Sequence, residues 1–153
     1  MSTIYDDASA WFEANWDPTM SLGDWWARLA GAGYAFPRWP KMAGGRSFNK
    51  AESAAITRAR RDAGAYGPPN GVATFLVAPT LFQYGTAEQQ ERYLPAIADG
   101  TVRWCQLFSE PGYGSDMAGL ATRAELDGDE WTVNGQKVWN PSADHADMGI
   151  LVA

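Results

Sequence analysis

The 153 residues suffice for one ordinary domain with a hydrophobic core, and 46% hydrophobic with 20% charged residues is a globular composition. A net charge of −6 argues against a nucleic-acid-binding face, which needs clustered cations, yet leaves anionic cofactors open because backbone N–H groups can hold phosphates. The single cysteine, Cys105, excludes an intramolecular disulfide and fits a reducing compartment; the acidic, amphipathic start is not a signal peptide, no apolar run nears the ~20 residues of a membrane span, and a cytoplasmic protein is expected.

The first hundred residues read as helices. Ile4 to Trp16 carries apolar residues at helical spacing (Ile4, Ala8, Trp11, Phe12) behind Ser2 and Thr3 as N-cap candidates, and Asp17-Pro18 ends it. A second helix runs from about Leu22 to Ala32, with Gly31 and Gly33 as C-cap candidates. RWPKMAGGRSF is a loop. Asn49 caps a third helix to about Ala63, whose Arg58, Arg60 and Arg61 read as a solvated face. The fourth helix, Val72 to Tyr84, contains Pro79 and should kink there before Gly85 stops it. Thr86 and Gln89 form a capping box for a fifth helix, which ends or restarts near Pro95.

After Gly100 the periodicity changes. VRWCQLFS, LATRAEL, EWTV, QKVW and MGILVA are short and alternate like strands. Asp127-Gly128 and Asn134-Gly135 are hairpin signals, the second a strong one for a type I′ turn. Five helices followed by a β-meander predict an α+β fold: an all-α domain over residues 1–100, then an antiparallel β-domain over 101–153. The apolar last strand, Met148 to Ala153, predicts cover from another chain or from further polypeptide.

Two segments carry candidate chemistry. In FSEPGYGSD, Ser109 ends a strand and can hydrogen-bond a planar heterocycle. The glycines at 112 and 114 permit close approach of a bulky ligand, and Ser115 offers a hydroxyl to a phosphate. The same residues also read as a plain Pro-Gly turn. In NGQKVWNPSADHAD, Trp139 can lie against an isoalloxazine ring, or be one more core tryptophan among eight.

Together these segments resemble the acyl-CoA dehydrogenase family. SEPGYGSD at 109–116 is similar to its T/S-E-P-x-x-G-S-D motif, and DGDEWTVNGQKVW at 127–139 to its hairpin ending in N-G-x-K-x-W. Ala146-Asp147 matches its A-D. WPKMAGG at 39–45 and YGTAEQQERYLP at 84–95 match upstream motifs, so the resemblance covers about residues 35–153.

The resemblance implies an N-terminal helical domain, a middle β-domain and a C-terminal helical bundle, of which the 153 residues hold the first and the start of the second. It implies FAD, with Gln106, Leu107, Phe108 and Ser109 along the pyrimidine edge of the flavin. Gly114 and Ser115 would lie near its pyrophosphate, Ser115 also near the acyl-CoA substrate, and Trp139 on the flavin. In the family a base takes the α-proton while the β-hydride passes to flavin N5; that base lies in the bundle, so no catalytic residue is assigned in this chain, and no metal ligand.

Asn140 and Pro141 depart from the family, which places a hydroxyl residue after the tryptophan to reach flavin N5; Asn140 or Ser142 would have to substitute. Tyr113 replaces a small residue and reads as a surface aromatic or a ligand contact. Glu110 belongs to the motif turn and is not the base, and His145 reads as structural. The resemblance further implies an electron-transfer flavoprotein or similar acceptor and a homo- or hetero-tetramer. GPPNGVATFLVAPTLFQYGT and FSEPGYGSD look most like actinobacterial members acting on bulky acyl-CoA thioesters, steroid side chains included. A non-catalytic partner subunit, a truncated paralogue, and a flavin oxidase or monooxygenase on the same fold remain alternatives.

Overall fold

The computed structural model describes residues 2–153. It forms two compact units, one ending at Thr101 and one starting at Val102. Among the described residues the α-helices lie in the first and the strands in the second, whose one helical piece is a short 3-10 turn at Met117–Gly119, so the α+β class stands.

The helical unit holds α1 (Ile4–Asn15), α2 (Leu22–Gly31), α3 (Lys50–Asp62), α4 (Ala78–Tyr84) and α5 (Ala87–Ala98). Their starts are set by local side-chain chemistry. Thr3 with Asp6, Asn49 with Glu52 and Thr86 with Gln89 each complete a capping box, and Ser21 accepts from Asp24 N–H. Gly31 lies within α2, and Gly33 takes the left-handed position after it, at φ 71°.

The two internal prolines are accommodated in different ways. In the fourth helix a π turn over Ala73–Val77 runs directly into α4, Ala78 N–H donating to the Ala73 carbonyl, and Pro79 follows in the first turn of α4, so the wider turn lies immediately before the proline. Pro95 lies inside α5, which runs on to Ala98. Leu94, Ile97 and Ala98 are all fully buried, and that burial offsets the roughly 3 kcal/mol that a proline inside a helix costs.

The core joins α1, α2 and α3 through Phe12, Trp25, Leu29 and Ile56, with Tyr34 from the following loop. Aromatic rings fill it edge to face: Trp11 meets Tyr34 at 5.0 Å and Trp16 meets Trp25 at 4.7 Å. Trp25 and Trp26 donate their indole N–H groups to the carbonyls of Tyr66 and Gly67, which fixes the loop after α3.

The second unit is not a meander. It contains two separate two-stranded sheets. β2 (Arg123–Asp127) and β3 (Glu130–Asn134) form the expected antiparallel hairpin, turned at Gly128 with φ 63°. β1 (Trp104–Leu107) and β4 (Met148–Leu151) pair in parallel, Trp104 opposite Met148 and Leu107 opposite Leu151. The parallel pair starts at a clasp: Asp147 accepts the Arg103 N–H at 2.8 Å, and Asp147 and Met148 both return their N–H groups to the Arg103 carbonyl. The Arg103 N–H and then the Arg103 guanidinium hold the Asp147 carboxyl below its ordinary pKa, against the smaller opposing effect of burial.

QKVW is not a strand, and Asn134-Gly135 makes no I′ turn. A Cβ on Gly135 would stand 2.2 Å from Thr122 Oγ1 and 2.8 Å from Thr122 Cα. The residue is glycine because the chain passes hard against Thr122, not because it reverses direction.

Candidate functional site

The two motif segments are brought together within the second unit. Val138 N–H donates to the Ser109 carbonyl at 2.9 Å. Lys137 Nζ donates to the Phe108 carbonyl and to Glu110 Oε1, both at 2.9 Å. Asn140 takes the amide orientation in which its Nδ2 donates to the carbonyls of Gln106, at 3.0 Å, and Val138, at 3.1 Å. Three carbonyls of the 106–109 segment are thus tied to residues 137–140. The N–H groups of Phe108 and Ser109 and the Ser109 hydroxyl have no hydrogen-bond partner among the described residues, although both residues are half-buried.

Glu110 is the knot of this arrangement. Its carboxylate is buried and accepts from Ala121 N–H at 2.7 Å, Thr122 N–H at 2.9 Å, the Thr122 hydroxyl and Lys137. The Thr122 hydroxyl is the largest cause holding its pKa down to about 2, followed by Ala121 N–H; burial opposes them, and Lys137 and Thr122 N–H add smaller contributions. With these partners the carboxylate acts as a structural anion that ties the turn to residues 121, 122 and 137. Its turn is closed by reciprocal bonds with Tyr113, Glu110 N–H to Tyr113 O at 2.9 Å and Tyr113 N–H to Glu110 O at 3.0 Å, with Pro111 supplying the fixed φ. Sequence reasoning passed over Lys137 and Thr122. The lysine in N-G-x-K-x-W was the available signal; for Thr122 there was none.

The remaining candidates lie at the surface of this knot. Gly114 and Ser115 are exposed on the loop after the turn. Trp139 is 87% exposed and holds φ 57°, a backbone region that bulky residues rarely occupy. Ser142 does the same at φ 61°, so Asn140-Pro141 sits between two left-handed residues. Trp139 is therefore no core tryptophan. Leu107 belongs to the β1–β4 ladder. His145 is exposed and pairs only locally, Nε2 lying 3.1 Å from Asp144 Oδ2. No group of three or more potential metal ligands occurs among the described residues.

Residues 3–101 match the family described as acyl-CoA dehydrogenase, N-terminal domain, and residues 105–153 match acyl-CoA dehydrogenase, middle domain. The chain belongs to the acyl-CoA dehydrogenase family. This is a family of flavin-dependent oxidoreductases. Among its relatives, the acyl-CoA dehydrogenase IpdE1 of Mycobacterium tuberculosis is 48% identical over 119 residues, which is 78% of this chain and 31% of that protein. The ChsE4–ChsE5 complex of the same organism matches 95% of this chain and 39% of the solved one, with a TM-score of 0.62 at 32% identity. A Tcur3481–Tcur3483 steroid ACAD variant matches 95% and 41%, with a TM-score of 0.64 at 30% identity. The chain spans about a third of the length of the IpdE1 acyl-CoA dehydrogenases of Mycobacterium tuberculosis and Mycolicibacterium smegmatis that it matches. No helix among the described residues is long and apolar enough to cross a membrane.

Proposed function

We propose that this chain supplies the helical domain and the flavin-facing rim of an FAD-dependent acyl-CoA dehydrogenase of the cytoplasm. The observation that carries this reading is the outward Trp139: a large indole held in solvent, on a left-handed backbone, beside a segment with uncommitted donors. Burial does not explain its position, and a planar partner does. The unclaimed N–H groups of Phe108 and Ser109 and the Ser109 hydroxyl suit the acceptor-rich edge of a pyrimidine ring. Gly112 and Gly114 have open space where a Cβ would stand and no positive φ, so the loop's own fold does not demand glycine there; close approach of a ligand does. Ser115 adds a hydroxyl beside them for the pyrophosphate or the thioester.

Bound FAD would supply the hydride acceptor for α,β-dehydrogenation of an acyl-CoA thioester. Within this chain the residues bind and orient. Lys137 and Glu110 lock the segment that follows β1, which ends at Leu107 and not at Ser109, and so present Ser109; Trp139 covers one face of the site, and Asn140 holds Gln106. Because its amide is committed to two carbonyls, Asn140 does not replace the family's hydroxyl residue near N5, and Pro141 has no N–H to offer. Electrons would then pass to an electron-transfer flavoprotein or a similar acceptor, and the relatives point to bulky, steroid-like acyl groups.

A second reading, as a subunit of a heteromeric enzyme, is favoured by the β2–β3 hairpin. Leu126 faces Trp131 across it, next to Val133, and these are 58%, 64% and 47% exposed. Purification from the native host tests both readings. Flavin that co-purifies and is bleached anaerobically by acyl-CoA supports the first. Flavin that appears only with a second polypeptide supports the second. Protein without flavin in any assembly refutes both.

A further inference from the structure

Within the helical unit, a cavity of 680 Å³ opens between the loop after α2, the helix α3 and the helix α4. That volume falls in the range of small-molecule sites, roughly 300–1,000 Å³. Its wall is aromatic and rigid. Phe36 stacks on Trp39 with centroids 4.2 Å apart and planes 14° apart, and Phe82 meets Trp39 edge-on at 5.2 Å. Pro37, Pro40 and Pro79 stiffen the same wall.

Arg60 of α3 lines this cavity. One guanidinium nitrogen, Nη1, donates to the Ala65 carbonyl at 2.9 Å, and no carboxylate lies within ion-pair reach of Arg60 among the described residues. Burial lowers its pKa, with repulsion from Arg61 second. An arginine left half-buried without a counter-charge is costly, and the remaining arms of its planar fork match a carboxylate. Arg38 lines the cavity and also the adjoining depression, which Lys50, Arg58 and Arg61 flank with Asp62 as the one acid. Asp62 already accepts the Tyr5 hydroxyl at 2.6 Å. Five of the chain's twelve basic residues therefore surround one region of a protein with net charge −6, which makes this face locally attractive to anions. Of the arginine run, Arg58 and Arg61 are exposed and Arg60 is half-buried in the cavity wall.

We propose that this cavity binds a small amphipathic carboxylate, its flat aromatic or alicyclic body against Phe36, Trp39 and Phe82 and its acid group on Arg60. The site lies wholly in the helical unit and does not depend on the flavin reading, so either can fail without the other.

The test is isothermal titration of the full chain with 1-naphthoate and with its neutral analogue 1-naphthylmethanol, neither of which needs flavin or turnover. The acid should bind more tightly by about tenfold or more, the span that one charge-assisted hydrogen bond supplies. Arg60→Gln should bring that preference below about tenfold, while Arg60→Lys, which keeps the charge, should retain it. Circular dichroism establishes that each variant is folded; if Arg60→Gln is not, the wild-type comparison and Arg60→Lys decide. A wild-type preference below about tenfold, binding of neither probe, or a folded Arg60→Gln that keeps the preference overturns the proposal.

Discussion

Lys137 Nζ lies 2.9 Å from Glu110 Oε1, and the two side chains are only 8% and 5% exposed. This pair ties the two family motifs to each other and sets the positions of Ser109 and Trp139 on either side of it. The Glu110 carboxylate ionises near pH 2 in the fold instead of at its ordinary 4.5. Because the folded value is the lower one, its stabilising contribution is complete above about pH 4.5 and is lost as pH falls from there to about 2. Thermal unfolding of wild type and Glu110→Gln across this window should show a large gap at pH 6 that closes toward pH 2. A gap independent of pH would contradict the assignment.

Gly135→Ala should disturb the same knot from behind. The added methyl meets Thr122, whose hydroxyl and N–H both donate to Glu110. Overpacking of this kind costs typically about 1–3 kcal/mol. The substitution should lower the melting temperature and shift the Glu110 carboxyl upward, read by NMR titration. Gly128→Ala, at the tip of the hairpin, strains only the turn and should leave that titration unchanged.

Trp139→Gly should leave the bare chain as stable as wild type, or more so. The indole is 87% exposed and buries little, while its left-handed backbone stores roughly 1–3 kcal/mol that glycine relieves. In flavin-loaded protein the same variant should lose cofactor. The check pairs a melting curve with the ratio of flavin to protein absorbance, and Ser109→Ala should show the smaller flavin loss of one hydrogen bond, about 0.5–1.5 kcal/mol.

Phe12→Ala addresses the helical unit instead. Phe12 is fully buried between α1 and the rings of Trp25 and Tyr34. Its truncation should cost about 3–5 kcal/mol, comparable to the whole stability of a small domain. Loss of cooperative unfolding followed by far-ultraviolet circular dichroism is the expected result.

The helices were readable because their boundaries are local events. Thr86 and Gln89, or Asn49 and Glu52, carry their own hydrogen bonds within one turn. The class, the order of helices before strands and the family motifs were readable for the same reason. The sheet topology was not, since the parallel β1–β4 pair depends on Arg103 meeting Asp147, far along the chain. Asn134-Gly135 misled because glycine serves two purposes, reversing a chain or letting one pass close by, and a string of letters does not distinguish them. The partners of Glu110 were hidden likewise: Thr122 and Lys137 are distant in sequence and gain meaning only once the two segments touch.

The parallel pairing of β1 with β4 also sets an order of assembly. The β2–β3 hairpin closes over two residues and can form early, whereas β1 must wait for a strand more than forty positions downstream. Such long-range closures are slow because their entropy is spent before their contacts form. The register of Gln106 and Leu107 against β4 is therefore expected to be fixed after the hairpin, an order that pulsed hydrogen exchange would read.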